Sequence, residues 1–261
     1  MVSLEKMPVC SRTRCGGRLR GCWIMSSETI IALGDLHFPL TDMAAFQAVL
    51  DYIDRVKPAK VILMGDVLDL PQPSRWSAGT REEFAGGVVR DAVLARKRLI
   101  EPLRKVYKGP IEALEGNHDL RAQKYLVDRV PALPETGEAW AYKNLLQMDN
   151  YDIRLKPPWE VEQGITFIHG HEGGVRLNQV AGMTALNAAK KTHSSLIMGH
   201  THRLAAIPTT VGHGPLARTV WGVETGHLID VSRVGYMGDR VANWQQGFVK
   251  IMDGLPIPIY L

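Results

Sequence analysis

The stretch TIIALGDLH, residues 29–37, sets an aliphatic, partly β-branched run against Gly34 and then Asp35 and His37, two residues apart. A short apolar run bounded by glycine reads as a buried strand opening into a loop. Residues two apart in extended backbone project to the same side, so Asp35 and His37 can aim at one volume. The form recurs along the chain as KVILMGDVLD (60–69), GPIEALEGNHD (109–119), ITFIHGH (165–171) and SLIMGHTH (195–202). One such pair means little. Five strand ends carrying histidine, aspartate or asparagine indicate a site, because the strands of a sheet hold loop residues rigidly in one place.

Helical spacing of apolar residues fills the intervals between these runs. DMAAFQAVLDYIDRV (42–56) reads as a helix capped by Thr41 or Asp42, and REEFAGGVVRDAVLARKRLIEPLRKVY (81–107), LRAQKYLVDRV (120–130) and RLNQVAGMTALNAAKK (176–191) read as three more. Past residue 204 the pattern changes to short strands and turns, LAAIPTTV (204–211), LARTVWGV (216–223) and WQQGFVKIM (244–252). Alternating elements followed by consecutive strands predict an α/β or α+β fold with mixed sheets. Residues 131–164 are the least regular and read as a cap-like insertion near the site.

Composition narrows the class. A chain of 261 residues, 45% hydrophobic, can bury the core of one large domain. No stretch approaches the ~18 consecutive apolar residues of a membrane span, so the expectation is a soluble protein. The sequence pI of about 9.0 suggests a nucleic-acid surface at first sight. However, Lys6, Arg12, Arg14, Arg18 and Arg20 against Glu5 account for a surplus equal to the whole formal charge of +4, and residues 25–261 are balanced. Cys10, Cys15 and Cys22 lie in the same opening stretch, which lacks the apolar core of a secretory signal. Disulfides therefore do not hold the fold, and a reducing cytoplasm is expected. Residues 1–24 read as a disordered extension or an upstream translation start ahead of Met25, with a zinc site there requiring a fourth ligand from elsewhere.

The ordered series GDLH, GDVLD, GNHD, HGH and GHTH resembles the calcineurin-like metallophosphoesterases, from Asp35 to His202, and the ending NWQQGFVKI is similar to phage or prophage-encoded members. The resemblance implies a four-layer αββα sandwich of two mixed β-sheets flanked by helices, with two divalent metal ions. One ion would take Asp35, His37 and His202, the other Asn117, His169 and His200, with Asp66 between them. Mixed oxygen and imidazole donors suit manganese, the first expectation, or iron, zinc, cobalt or nickel. Two dications against two carboxylates leave about +2 to attract a phosphate. The implied reaction is in-line attack by a shared, activated water on a phosphate ester, with His118 as general acid oriented by Asp69.

Departures from the family pattern bear on substrate. Protein phosphatases of this superfamily usually carry arginine after GDxxD and glutamate after GNH, where this chain has Leu70 and Asp119. Loss of a bidentate arginine clamp disfavours a dianionic monoester, and the GNHD form leans toward diesters. The leading expectation is a phosphodiesterase. A DNA or RNA nuclease, a phosphomonoesterase or protein phosphatase, and a non-catalytic interaction module are the alternatives. Arg75 and Trp76 are either substrate contacts, able to hold a phosphate and stack on a base, or a surface loop with one anchor. Arg121 and His171 stand open between substrate contact and a solvated or structural role. Asp119 is read as a helix cap, and His193, His213 and His227 as surface or loop residues. Phosphate-ester substrate, with nucleotide or nucleic acid among the candidates, is the expected partner; oligomeric state is not legible.

Overall fold

The computed structural model describes residues 29–162, 164–234 and 242–261, so the expectations for residues 1–24 and their three cysteines lie outside the described residues. Two mixed sheets form the frame. In the first, β1 (Thr29–Leu33), β2 (Lys60–Leu63), β3 (Ile111–Ala113) and β4 (Ile153–Leu155) run parallel. The antiparallel pair β10 (Gly247–Met252) and β11 (Leu255–Tyr260) closes its far side, giving the order β11-β10-β1-β2-β3-β4. The second sheet has the order β5-β6-β7-β9-β8, from β5 (Val161–Glu162), β6 (Ile165–Ile168), β7 (Ser195–Met198), β8 (Leu204–Val211) and β9 (Arg218–Thr225).

Strand periodicity explains the layering. Ile31, Leu33, Val61, Leu63 and Ile111 point to one face, where they pack with Phe46, Val49 and Ile53 of α1 (Met43–Val56). They also meet Leu99, Ile100 and Leu103 of a long helical segment that runs from α2 (Val88–Ala95) through a wider π turn into α3 (Glu101–Val106). The alternate residues Ile30, Ala32, Ile62 and Met64 face the other way and meet Ile165, Phe167, Ile197 and Val223 of the second sheet. Ile168, Leu196 and Met198 then pack outward on Ala185, Ala188 and Ala189 of a later helix, Met183–Thr192. Helix, sheet, sheet and helix thus follow in four layers, as expected.

Several boundaries differ from the sequence reading. Helix α1 is capped by Asp42, whose carboxylate accepts from the amides of Ala44 and Ala45 at 2.9 and 3.1 Å. The helix expected from residue 81 starts only at Val88, because Gly86 and Gly87 (φ 67° and 127°) break the pattern. The one expected over 176–191 is helical only from Met183. Between them lie α4 (Arg121–Arg129), α5 (Pro134–Ala139) and α6 (Tyr142–Leu145), which makes Met183–Thr192 α7. Within residues 131–164, Tyr142, Leu146 and Met148 join the core beneath the first sheet and β4 forms its edge. No helix among the described residues is long and apolar enough to cross a membrane.

Candidate metal centre

Every matched motif follows the carboxyl end of a parallel strand: Asp35 and His37 after β1, Asp66 and Asp69 after β2, Asn117 and His118 after β3, His169 after β6, His200 and His202 after β7. Both sheets present those ends to one place, the usual location of a site in such folds. The loops are bound to one another. His37 N donates to Asp66 O at 2.9 Å, Phe38 N to Val67 O at 2.9 Å, and His118 N to the Asp66 carboxylate at 2.8 Å. Across the sheets, His200 N donates to the Asp35 carboxylate at 2.9 Å and His169 Nδ1 to Met64 O at 2.8 Å.

Tight approach demands glycine at two points. A Cβ on Gly116 would lie 2.1 Å from Asp66 Oδ1, and one on Gly65 (φ 94°) would lie 2.6 Å from His169 Nδ1. Asp35, His37, Asp66, His200 and His202 themselves have positive φ, between 48° and 68°. That left-handed conformation is uncommon for side chains with a Cβ, and such residues cluster at functional sites.

Three groups of donors converge among the described residues, one of them His37, Asp69 and His118, and the other two flank Asp66. Asp35, His37 and His202 form one: His202 Nε2 lies 3.3 Å from Asp35 Oδ1, and His37 Nε2 lies 3.1 Å from His202 Nε2. Asp66, His169 and His200 form the other, with His169 Nε2 at 3.2 Å from Asp66 Oδ2 and 3.2 Å from Asn117 Oδ1. Asp66 Oδ2 is also 3.6 Å from His37 Nε2, so this carboxylate stands between the groups. The Nδ1 atoms of His37 and His118 donate to one oxygen of Asp69 at 2.9 and 3.0 Å, which turns both Nε2 atoms away from it.

Electrostatics in this buried cluster is governed by neighbours. Burial alone would raise the carboxyls of Asp35 and Asp66, yet His202 beside the first and His169 beside the second hold both below the ordinary range. Burial alone would lower His37 and His169, but the carboxylates of Asp35 and Asp69 on one, and Asp66 on the other, push both up to about 10. His200 falls to about 4 through burial and the adjoining His169 charge. The carboxylates thus favour positive charge where they converge, as a site for a cation would. The convergence of buried imidazole and carboxylate atoms fits divalent metal ions.

Other expectations are resolved by position. Asp119 does not cap α4: its buried carboxylate accepts from Leu68 N at 2.9 Å and Gly116 N at 3.0 Å, tying two motif loops together, and burial with the Asp66 charge pushes it up to about 8. His227 is no surface residue. It is 2% exposed, accepts from Ile229 N through Nδ1, and its ring centre lies 5.8 Å from that of His202, with Trp244 at 4.3 Å from His202 on another side. His193 and His213 are exposed, and so is His171, although its ring centre is only 5.3 Å from that of His169. Arg121 reaches the site directly, with Nη2 at 2.9 Å from His118 Nε2 and Nη1 donating to Asp69 O at 2.7 Å. Arg75 and Trp76 line a cleft of about 480 Å³ that also contacts Asn117 and Arg121. Glu172, whose carboxylate accepts from His169 N at 2.8 Å, and Glu224 were not singled out by sequence reasoning. The HGHE spacing is the only signal that could have found the former.

The molecule is thus a two-sheet α/β sandwich with paired histidine–aspartate groups, each able to hold a metal ion, where its strand ends converge. The chain belongs to the calcineurin-like phosphoesterase family, whose model matches residues 28–217. It is 39% identical over 230 residues to the Gene 54 proteins of Mycobacterium phages L5 and D29, which spans 87% of this chain and 90% of each relative. The expected similarity to phage-encoded members is therefore present. Among solved structures, a single-mutant form of Vps29 from Entamoeba histolytica matches at 15% identity and TM-score 0.42, covering 89% of this chain and 99% of that one. Vps29 from Chaetomium thermophilum matches at 12% identity and TM-score 0.40, covering 86% and 80%.

Proposed function

We propose that the protein is a metal-dependent phosphodiesterase that holds two divalent ions, manganese first among those suited to its donors. The observation that carries this reading is Asp66 standing between two complete donor groups, beside a histidine oriented by Asp69. Asp35, His37 and His202 would hold one ion, Asn117, His169 and His200 the other, and Asp66 would bridge them. Bound ions would polarise the phosphate and acidify a water for in-line attack. With its Nδ1–H committed to Asp69, His118 accepts from Arg121 through Nε2, and this nitrogen would have to exchange that contact for a proton before giving one to the leaving oxygen. Asp69 fixes that tautomer and orients His37 through the same oxygen.

Preference for a diester is supported by what the second and third motif loops withhold. Leu70 is fully buried and the Asp119 carboxylate is turned inward onto two backbone amides, so neither supplies a phosphate contact. The test is hydrolysis of bis(p-nitrophenyl) phosphate beside p-nitrophenyl phosphate, with manganese-loaded and chelator-treated protein. Metal-dependent preference for the diester is expected. Preference for the monoester would overturn the substrate reading, and no turnover with any of manganese, iron, zinc, cobalt or nickel would overturn the enzymatic one.

A further inference from the structure

The cleft beside the donor groups lies between the loop after β2 and helix α4. Its walls carry Arg75, Arg121, Lys124 and Arg129 against a single acid, Asp128. Arg129 is paired with Glu83 at 3.1 Å, while Arg75 and Lys124 make no ion pair among the described residues. Trp76 is 76% exposed although its ring carries the Arg75 guanidinium 4.6 Å from its centre. Other large apolar side chains are exposed as well, but Trp76 lines the cleft and carries a cation on its ring. Burial of that ring would recover apolar area, and a flat partner would use its π face.

We infer that this cleft binds single-stranded nucleic acid on the leaving-group side of the scissile phosphate, with one unpaired base stacked on Trp76 and flanking phosphates met by Arg75 and Lys124. The inference rests on the phosphodiesterase reading for its direction. Arg121 touches His118 Nε2, the atom proposed to protonate the leaving oxygen, and Arg121 also lines the cleft, so the departing part of the substrate lies there. A volume of about 480 Å³ suits a nucleotide-sized ligand, and the exposure of Trp76 leaves the cleft open for the chain to continue. A duplex keeps its bases stacked on each other and offers no free face to the indole, which is why an unpaired strand is specified. The basic walls are local. They coexist with a balanced total charge over residues 25–261 because the acids lie elsewhere.

The experiment is equilibrium binding of a fluorescein-labelled single-stranded oligonucleotide to the full chain in chelator, followed by anisotropy, so that no turnover is needed. Trp76→Ala is expected to weaken binding about tenfold, the size of one base–aromatic stack. Lys124→Ala is expected to lower the slope of log affinity against log salt by about 0.7, one single-strand phosphate contact. Duplex of the same sequence is expected to bind more weakly than the single strand. Equal binding by the wild-type protein and Trp76→Ala, or equal binding of duplex and single strand, would overturn the assignment. Because Trp76 is exposed, its replacement leaves the core intact. Strand binding without hydrolysis of bis(p-nitrophenyl) phosphate would sink the enzymatic reading and the leaving-group direction but keep the Trp76 strand site, and hydrolysis without strand binding would sink the cleft alone.

Discussion

Asp66 accepts the His118 amide on Oδ1 and faces His37 and His169 with Oδ2, so its charge acts on both donor groups at once. Asp66→Asn keeps the shape and removes that charge. The expected outcome is loss of both ions and of activity together, read by elemental analysis of dialysed protein alongside diester hydrolysis; an active variant with its full metal complement would refute the bridging role. The residues of this cluster were legible because each sits in a spaced motif after a strand-like run. Its surroundings were not. His227 is a lone histidine with no partner at short spacing, and only the tertiary path brings its ring beside His202. Asp119 looked like a cap because aspartate before a helix usually is one. Its carboxylate instead turns inward and accepts from the amides of Leu68 and Gly116, the former in a loop far away in sequence.

At the level of elements, the GHTH loop must hold two histidines in left-handed backbone, and β9 supplies the brace. Glu224, fully buried, accepts the Thr201 hydroxyl at 2.9 Å and the Thr184 amide at 3.1 Å, binding the loop between His200 and His202 to the start of α7. Glu224→Ala leaves a buried hydroxyl and amide without their acceptor and is expected to destabilise the fold by about 1–3 kcal/mol, measured by urea unfolding. The same variant should bind metal more weakly, with Glu224→Gln intermediate. A fall in stability with unaltered metal affinity would show that the brace serves packing alone. Elements with strong periodicity, such as α1 and β8, could be located from residue pattern. The start of α2 could not, since Arg81 to Phe84 continue a helical pattern across Gly86 and Gly87 until the backbone turns. Strand β4, three residues long at a sheet edge, is too short to show a period of two.

Across the whole molecule, the donor groups lie where two separate sheets meet, so each ion would join them. Asp35, His37, Asp66 and Asn117 come from the first sheet, and His169, His200 and His202 from the second. The continuous apolar runs of β1 and β2 marked them as buried strands, whereas the pairing of β9 between β7 and β8 depends on long-range contacts that no local pattern carries. His37 and His169 face carboxylates that favour their protonated imidazoles over the neutral ones. Their folded values of about 10 exceed the ordinary 6.5, so this stabilisation is fully present below about 6.5 and is lost as pH climbs through 10. Metal ions need the same nitrogen lone pairs, so proton competition weakens and affinity grows over that window. Ligand binding to the folded state raises its apparent stability. The rise in melting temperature on adding zinc to chelator-treated protein should therefore be larger at pH 8.5 than at pH 6.5. A rise that is constant or smaller at the higher pH would mean that His37 and His169 do not release their protons to the metals.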